Sequence, residues 1–260
     1  MDASPVKEEG VVPLEFLGQT AFVTGTARGL GVALARGFLD RGANVVLADV
    51  DAAGNAETLR ALGGDETRLQ AVSLDLGDPA AIERGFGEAV ARWGAVDVLV
   101  NNAAQARAVS LWDIDIAEWQ RILSVNLTGL FVLSRLAAAP MRARGHGRIV
   151  NIASLAGQMA RPSGAHYAAS KGGVIALTRV FAAELAAAGV TVNAVAPAIV
   201  DTPMFQAIGP ERADALKAAI PVRRVGAPEE VAALVCFLAS RAAGFITGAT
   251  YDINGGVLMR

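Results

Sequence analysis

Tyr167 and Lys171 lie four residues apart in His166-Tyr167-Ala168-Ala169-Ser170-Lys171, and Ser154 precedes the tyrosine by thirteen residues. Positions i and i+4 share a face of a helix, so a helical segment here sets the lysine ammonium beside the phenol. A neighbouring cation favours phenolate. Free tyrosine titrates near pH ~10, and each unit of depression corresponds to ~1.4 kcal/mol of preferential stabilisation of the ionised form. A phenol tuned in this way can give or take a proton in catalysis. The same spacing also occurs on solvated helix faces that do no chemistry, so the trio gains its meaning from the rest of the chain.

A second set of residues points to a phosphate. Thr24-Gly25-Thr26-Ala27-Arg28-Gly29-Leu30-Gly31 follows the apolar run 20–23 and opens an apolar-periodic stretch. Strand, glycine turn and helix start form the context in which backbone N–H groups approach a dinucleotide pyrophosphate. The glycines here fall as Gly-x-x-x-Gly-x-Gly rather than Gly-x-Gly-x-x-Gly. Further motifs follow in order: Asn101-Asn102-Ala103-Ala104, Asn126 in Ser124-Val125-Asn126-Leu127, Pro197-Ala198-Ile199-Val200-Asp201-Thr202, and Asp252-Ile253-Asn254-Gly255-Gly256. With Ser154, Tyr167 and Lys171, this pattern resembles the classical short-chain dehydrogenase/reductase family from about Leu17 to Gly256, nearly the whole chain.

The resemblance implies hydride transfer between a nicotinamide cofactor and a secondary alcohol or ketone such as a polyol, sugar or related hydroxy compound. It makes Tyr167 the acid–base, Ser154 the donor that holds the substrate oxygen, and Lys171 both the tuning cation and a ligand of the nicotinamide ribose. Asn126 would position a water joining Lys171 to solvent. Cofactor contacts are implied for Gly25, Arg28, Gly29, Leu30 and Gly31 in the turn, and for Asp75 and Leu76 on the adenine side. They are implied as well for Asn102 and Ala103 beside the adenosine ribose and for Pro197, Val200 and Thr202 near the carboxamide. Read without the family, Asp75 is a cap for the next helix, Asn102 satisfies loop backbone groups and Asn126 is a core polar group. Two departures bear on pocket shape: Ala104 and Ala198 stand where the family has glycine, and alanine at positive φ would be strained.

Asp49 ends the apolar run Val45-Val46-Leu47-Ala48. A carboxylate there accepts hydrogen bonds from an adenosine ribose and repels a 2'-phosphate, which favours NAD over NADP. Arg28 argues the other way, since relatives with arginine before the second glycine include NADP enzymes. Desolvating a phosphate beside a carboxylate outweighs a guanidinium free to swing into solvent, so NAD is expected and NADP is the alternative. The principal competing reading is a 3-oxoacyl thioester reductase using NADPH; Tyr167 and Lys171 together count against a cofactor-binding regulator without turnover, and the four residues after Gly256 count against a nucleotide-sugar epimerase, which usually needs a longer C-terminal substrate domain.

Bulk properties narrow the partners. A formal charge of -2 argues against a nucleic-acid binder, and 53% hydrophobic residues suffice for one large core. The single cysteine, Cys236, sits in an apolar helical pattern and reads as a small buried hydrophobe. Residues 1–12 read as a polar tail, neither signal peptide nor anchor, and no stretch of ~20 apolar residues is apparent, so a cytoplasmic protein outside any membrane is expected. His146 reads as a solvated turn, His166 has no partner at metal-ligand spacing, and no metal site is implied. Arg161 is a candidate for a substrate anion.

These residues need a scaffold. Strands are expected at 20–24, 44–49, 69–74, 96–101, 148–154, 191–196 and 249–253, alternating with helices at 30–41, 53–62, 79–93, 117–141, 167–188 and 228–239. Apolar strands alternating with helices indicate a parallel sheet covered on both faces, a single-domain α/β doubly wound Rossmann fold of seven strands spanning 13–260. Asp78-Pro79 and Pro228-Glu229-Glu230 read as helix starts. The connection 197–227, with a short helix after Pro210, reads as a substrate lid. By resemblance a homotetramer is expected, with Ala138, Ala139, Ala168, Ala169, Ala182 and Ala183 packing against symmetry mates.

Overall fold

The computed structural model describes residues 14–160, 162–207 and 209–259 and, within them, leaves the side chains of Met204 and Arg212 undescribed; the expected tail and Arg161 lie outside the described residues. Seven strands form one parallel sheet in the order β3-β2-β1-β4-β5-β6-β7. They are β1 (Thr20–Thr24), β2 (Asn44–Asp49), β3 (Leu69–Ser73), β4 (Val98–Asn101), β5 (Gly147–Ile152), β6 (Val190–Pro197) and β7 (Thr250–Ile253). The chain runs outward from β1 to β3, then returns to pair β4 with β1 on its other side. The strand order therefore reverses between β1 and β4, and in such sheets ligands bind outside the carboxyl ends of the strands at that point.

Side-chain alternation on the strands feeds both faces. Ala21 and Val23 of β1 join Leu34 and Phe38 of α1 (Leu30–Asp40) and Val231 and Val235 of α9 (Pro228–Ala239) in one core cluster. Phe22 points the opposite way, to Ile82 and Phe86 of α3 (Pro79–Trp93) and Leu133 and Ala137 of α5 (Leu130–Arg144). Burial on both faces explains why these strands are apolar without a polar alternate. Cys236 lies in the first cluster, and burial pushes its thiol up to about 12.

Local chemistry sets the helix ends. Asp78 accepts from Ala80 N at 2.9 Å ahead of Pro79. Glu230 accepts from Ala227 N at 2.8 Å at the start of α9 and also pairs with Arg224. The remaining α-helices among the described residues are α2 (Ala52–Ala61), α4 (Ile116–Leu123), α6 (Ala165–Leu185), α7 (Pro203–Gln206) and α8 (Pro210–Ala219).

The helix expected at 117–141 is not uniform. Between α4 and α5 it widens into a π turn, Ser124–Gly129, that contains Asn126. Gly129 faces the Leu76 carbonyl so closely that a Cβ would lie 2.3 Å from it. By length and mean hydropathy the whole helix Ile116–Arg144 could cross a membrane, contrary to the expectation that no stretch reaches that length. Its apolar residues Ile122, Leu133, Ala137 and Met141 are instead buried within the fold. His146 is half-buried rather than solvated, and burial lowers its pKa.

Candidate active site

The glycine turn is built by close approach. Gly25 has φ 74, and a Cβ there would lie 2.8 Å from Ala103 Cα at the end of β4. A Cβ on Gly31 would lie 1.9 Å from Gly25 O, so only glycine lets α1 start this close to β1. Gly29 caps α1 at φ 61 without a side-chain hydrogen bond, and no acidic residue occupies the first turn. The leading N–H groups of α1 thus have no local carboxylate or hydroxyl cap, an arrangement suited to a pyrophosphate. A Cβ on Gly29 would lie 3.6 Å from the Thr202 and Pro203 side chains, which sets the expected lid against the turn. Leu30 packs on the core beneath it, and Arg28 is exposed.

Asn102 holds this turn from β4. Its amide donates to Thr24 O at 2.9 Å and Gly25 O at 3.2 Å, while Asn102 N and Ala103 N each donate to Thr24 Oγ1 at 3.0 Å. Both Nδ2 hydrogens serve the loop, leaving Oδ1 as the atom open to a cofactor. Asp49, half-buried at the end of β2, accepts from Ala27 N and Asp51 N, both at 2.9 Å. The carboxylate is fixed beside the residue that precedes Arg28. Sequence reasoning missed a buried network here: Thr26 Oγ1 donates to Asn55 Oδ1 at 2.7 Å, Asn55 Nδ2 donates to Leu47 O at 2.7 Å, and Thr58 Oγ1 donates to Thr26 O at 2.9 Å. Asn55 and Thr58 are the only buried residues of α2, a polar inward face that would have been the signal.

Asp75 is exposed and accepts from Gly77 N at 2.7 Å; the cap of α3 is Asp78 instead. Leu76 is buried against Gly129. Pro197 ends β6, and beyond it Val200 pairs with Gly226 in an isolated bridge that joins the two ends of the connection 197–227. The connection expected to be the lid carries two helices, α7 and α8, where one was expected; Thr202 followed by Pro203 at the first helical position starts the extra one. Neither Ala104 nor Ala198 has positive φ, so the glycine-to-alanine departures carry no such strain.

The expected proton-handling residues converge from β5, α6 and the π turn. Ser154 follows β5, and its Oγ accepts from Ala156 N at 3.1 Å, which leaves the hydroxyl hydrogen to donate. A Cβ on Gly157, three residues on, would lie 2.7 Å from Gly172 N and from Lys171 C, so the Ser154 segment rests directly on α6. Lys171 is buried, donates to Ile152 O at 2.6 Å, and stands 5.8 Å from the centroid of the Tyr167 ring. Burial lowers its pKa from an ordinary 10.5 to about 8, leaving it charged at neutral pH. Asn126 is buried; its Oδ1 accepts from Gln105 N at 2.8 Å, and its Nδ2 donates to Gln105 O at 2.8 Å and Ser170 Oγ at 3.2 Å. Its amide therefore ties the segment after β4 to α6. His166, weak in the sequence, is fully buried and bonded to Glu118 across 48 residues, a contact that no local spacing reveals.

Comparisons with known proteins find relatives along nearly the whole chain. A family profile described as enoyl-(acyl carrier protein) reductase matches residues 25–258. A 3-oxoacyl-(acyl-carrier-protein) reductase of Vibrio cholerae is 39% identical over 93% of this chain and 98% of its own. A 2-dehydro-3-deoxy-L-rhamnonate dehydrogenase (NAD(+)) of Sphingomonas sp. is 37% identical over 93% of this chain and 96% of its own. Among solved structures, one from Agrobacterium tumefaciens provisionally described as a gluconate dehydrogenase superposes with a TM-score of 0.90 at 35% identity, over 96% of this chain and 100% of that one. The chain belongs to the classical short-chain dehydrogenase/reductase family, nicotinamide-dependent oxidoreductases that act on CH–OH groups.

Proposed function

We propose that this enzyme is an NAD(H)-dependent dehydrogenase of a secondary alcohol, interconverting it with the ketone, and that the substrate is a polyol, sugar or related hydroxy compound. The observation that carries the cofactor choice is Asp49, held by Ala27 N and Asp51 N beside the glycine turn. A fixed carboxylate accepts hydrogen bonds from ribose hydroxyls and opposes a 2'-phosphate. The uncapped start of α1 and the crowding that requires Gly25 and Gly31 fit a dinucleotide held by Gly25, Arg28, Gly29, Leu30, Gly31, Asp49, Asp75, Leu76, Asn102, Ala103, Pro197, Val200 and Thr202. When bound, its nicotinamide supplies or accepts the hydride.

The chain's own residues handle the proton. In the reducing direction Ser154 Oγ donates a hydrogen bond to the substrate oxygen, and Tyr167 gives that oxygen its proton. The charged Lys171, anchored on Ile152 O, stabilises the resulting phenolate. Asn126 acts first as a brace on Gln105 and Ser170, and the second lone pair of its Oδ1 is the atom open to the relay water. In the oxidising direction the same residues run in reverse.

A panel of polyols, sugars and hydroxy acids with NAD and NADP, followed at nicotinamide absorbance, tests the reading. Turnover confined to 3-oxoacyl thioesters with NADPH would replace it by the activity named for the Vibrio relative. The acid–base assignment predicts that Tyr167→Phe, which keeps the ring and removes the acid, lowers kcat at least about 10²-fold with NAD binding intact. Near-parental turnover would remove Tyr167 from this role.

A further inference from the structure

Helix α6 begins without an ordinary cap. Gly164, at φ 70, offers no side-chain acceptor, yet the leading N–H groups of a helix need partners from outside its own ladder. One of these is the N–H of Tyr167. It donates to the Nδ1 of the preceding residue, His166, at 2.8 Å. An amide can only donate, so Nδ1 carries the lone pair and the ring hydrogen is on Nε2. Nε2 faces Glu118 Oε1 at 3.3 Å, and Glu118 Oε2 accepts from Arg107 Nη1 at 2.9 Å. The loop that carries Arg107 is pinned to the same spot, since Gly164 N donates to Val109 O at 2.8 Å.

The other polar group of the Tyr167 backbone is also held by a side chain. Ser170 Oγ donates to Tyr167 O at 2.7 Å and accepts from Asn126 Nδ2 at 3.2 Å. The backbone of one residue is thus gripped through its N–H from α4 and through its C=O from the π turn. His166 is fully buried and the Glu118 side chain is only 12% exposed. Burying a carboxylate and an imidazole together is costly where apolar side chains would fill the same volume, unless their hydrogen bonds have a use.

We propose that His166, supported by Glu118 and Arg107, is a positioning residue that fixes the Tyr167 backbone so that the phenol meets the substrate oxygen held by Ser154. The proposal rests on the reading of Tyr167 as the acid–base. The phenol hydroxyl sits at the end of a long lever, and a misplacement of about 1 Å at a reacting group costs about 10²-fold in rate.

Two isosteric variants separate the ring's two bonds. His166→Asn puts an amide oxygen where Nδ1 accepts, keeping the bond from Tyr167 N while losing the one to Glu118. His166→Gln reaches Glu118 but offers no acceptor to Tyr167 N. The expected result is that His166→Gln loses at least about tenfold in kcat with the NAD dissociation constant unchanged, whereas His166→Asn stays within about threefold of the parent. Parental kcat in His166→Gln, or equal losses in both variants that track their Tm, would overturn the proposal. Should either variant fail to fold, Glu118→Ala against Glu118→Gln reads whether the intact imidazole needs its support: glutamine still accepts from Nε2–H, whereas alanine lets the ring turn Nδ1 away from Tyr167 N, a freedom that the shorter amide of His166→Asn does not have. Equal kcat in that pair overturns the proposal. Tyr167→Phe is the control: if it turns over normally the acid–base reading fails, and if it is inactive while His166→Gln is parental only the positioning role fails.

Discussion

Lys171 shows how one side chain links activity and stability. Its pKa of about 8 in the folded protein lies below its ordinary 10.5, so between these values the unfolded chain binds more protons than the native one. Stability from this group therefore rises with pH across that window, and below it the cost of the buried charge, up to about 3 kcal/mol, is felt in full. Lys171→Met removes that cost but leaves Ile152 O without its donor, worth about 1 kcal/mol. The variant is expected to be inactive yet to melt a few degrees higher at pH 7, with the gain gone by about pH 10 and reversed above it, where only the lost hydrogen bond counts; thermal melts across pH decide it, and a lower Tm at neutral pH refutes it. Asp49 carries the cofactor prediction. Asp49→Ala should lower the ratio of kcat/KM for NAD over NADP at least about tenfold. Because Ala27 N and Asp51 N also lose their acceptor, Tm should drop as well. An unchanged ratio would mean that Asp49 does not select the cofactor. Tyr167 and Lys171 were legible in the sequence because their relation is four residues long and needs only a helix. His166 and Glu118 were not, because their pairing exists only once α4 and α6 are packed.

At the scale of elements, the strand-turn-helix unit around Gly25 was readable from glycines after an apolar run, whereas the reason for each glycine was not. Gly31 is needed for its missing Cβ, which would meet the Gly25 carbonyl at 1.9 Å, a backbone atom that cannot rotate away. Gly31→Ala should push α1 off β1, destabilising the protein by at least about 2 kcal/mol and weakening NAD binding together with it. Gly87, exposed within α3 with nothing within 4 Å of a Cβ, is the control: Gly87→Ala should stabilise by about 0.5–1 kcal/mol. Denaturant unfolding of both checks the pair, and similar stabilities would show that crowding at the turn is relieved by movement. The π turn at Ser124–Gly129 was invisible to periodicity, since one extra residue in a turn leaves an apolar run looking continuous. It is nonetheless what presents Asn126 to Gln105 and Ser170.

For the whole molecule, the seven parallel strands and their two covered faces followed from the alternation of apolar runs with helical patterns, but which helix faces remain uncovered did not. Ala138 and Ala182, expected against symmetry mates, are buried in the core of their own subunit and cannot serve there. The outer face of the π turn, α5 and α6 is lined instead by Leu127, Phe131, Ala176, Leu177 and Val180, with Phe131 38% and Val180 58% exposed. Sequence periodicity marks these helices as apolar nearly all round, which is why it could not separate the inward alanines from the outward face. We propose that this face pairs with its own copy across a two-fold axis, one of the two-folds of a homotetramer, because an isologous contact buries the same apolar stripe twice. A charge at its centre should then be placed twice in one interface, where desolvation and mutual repulsion oppose association. Val180→Glu, on the exposed side of α6, should leave the fold of the subunit intact and reduce the mass measured by light scattering at micromolar concentration from a tetramer to a smaller species. A parent that is monomeric at that concentration would refute the assembly, and an unchanged mass for the variant would move the interface to another face.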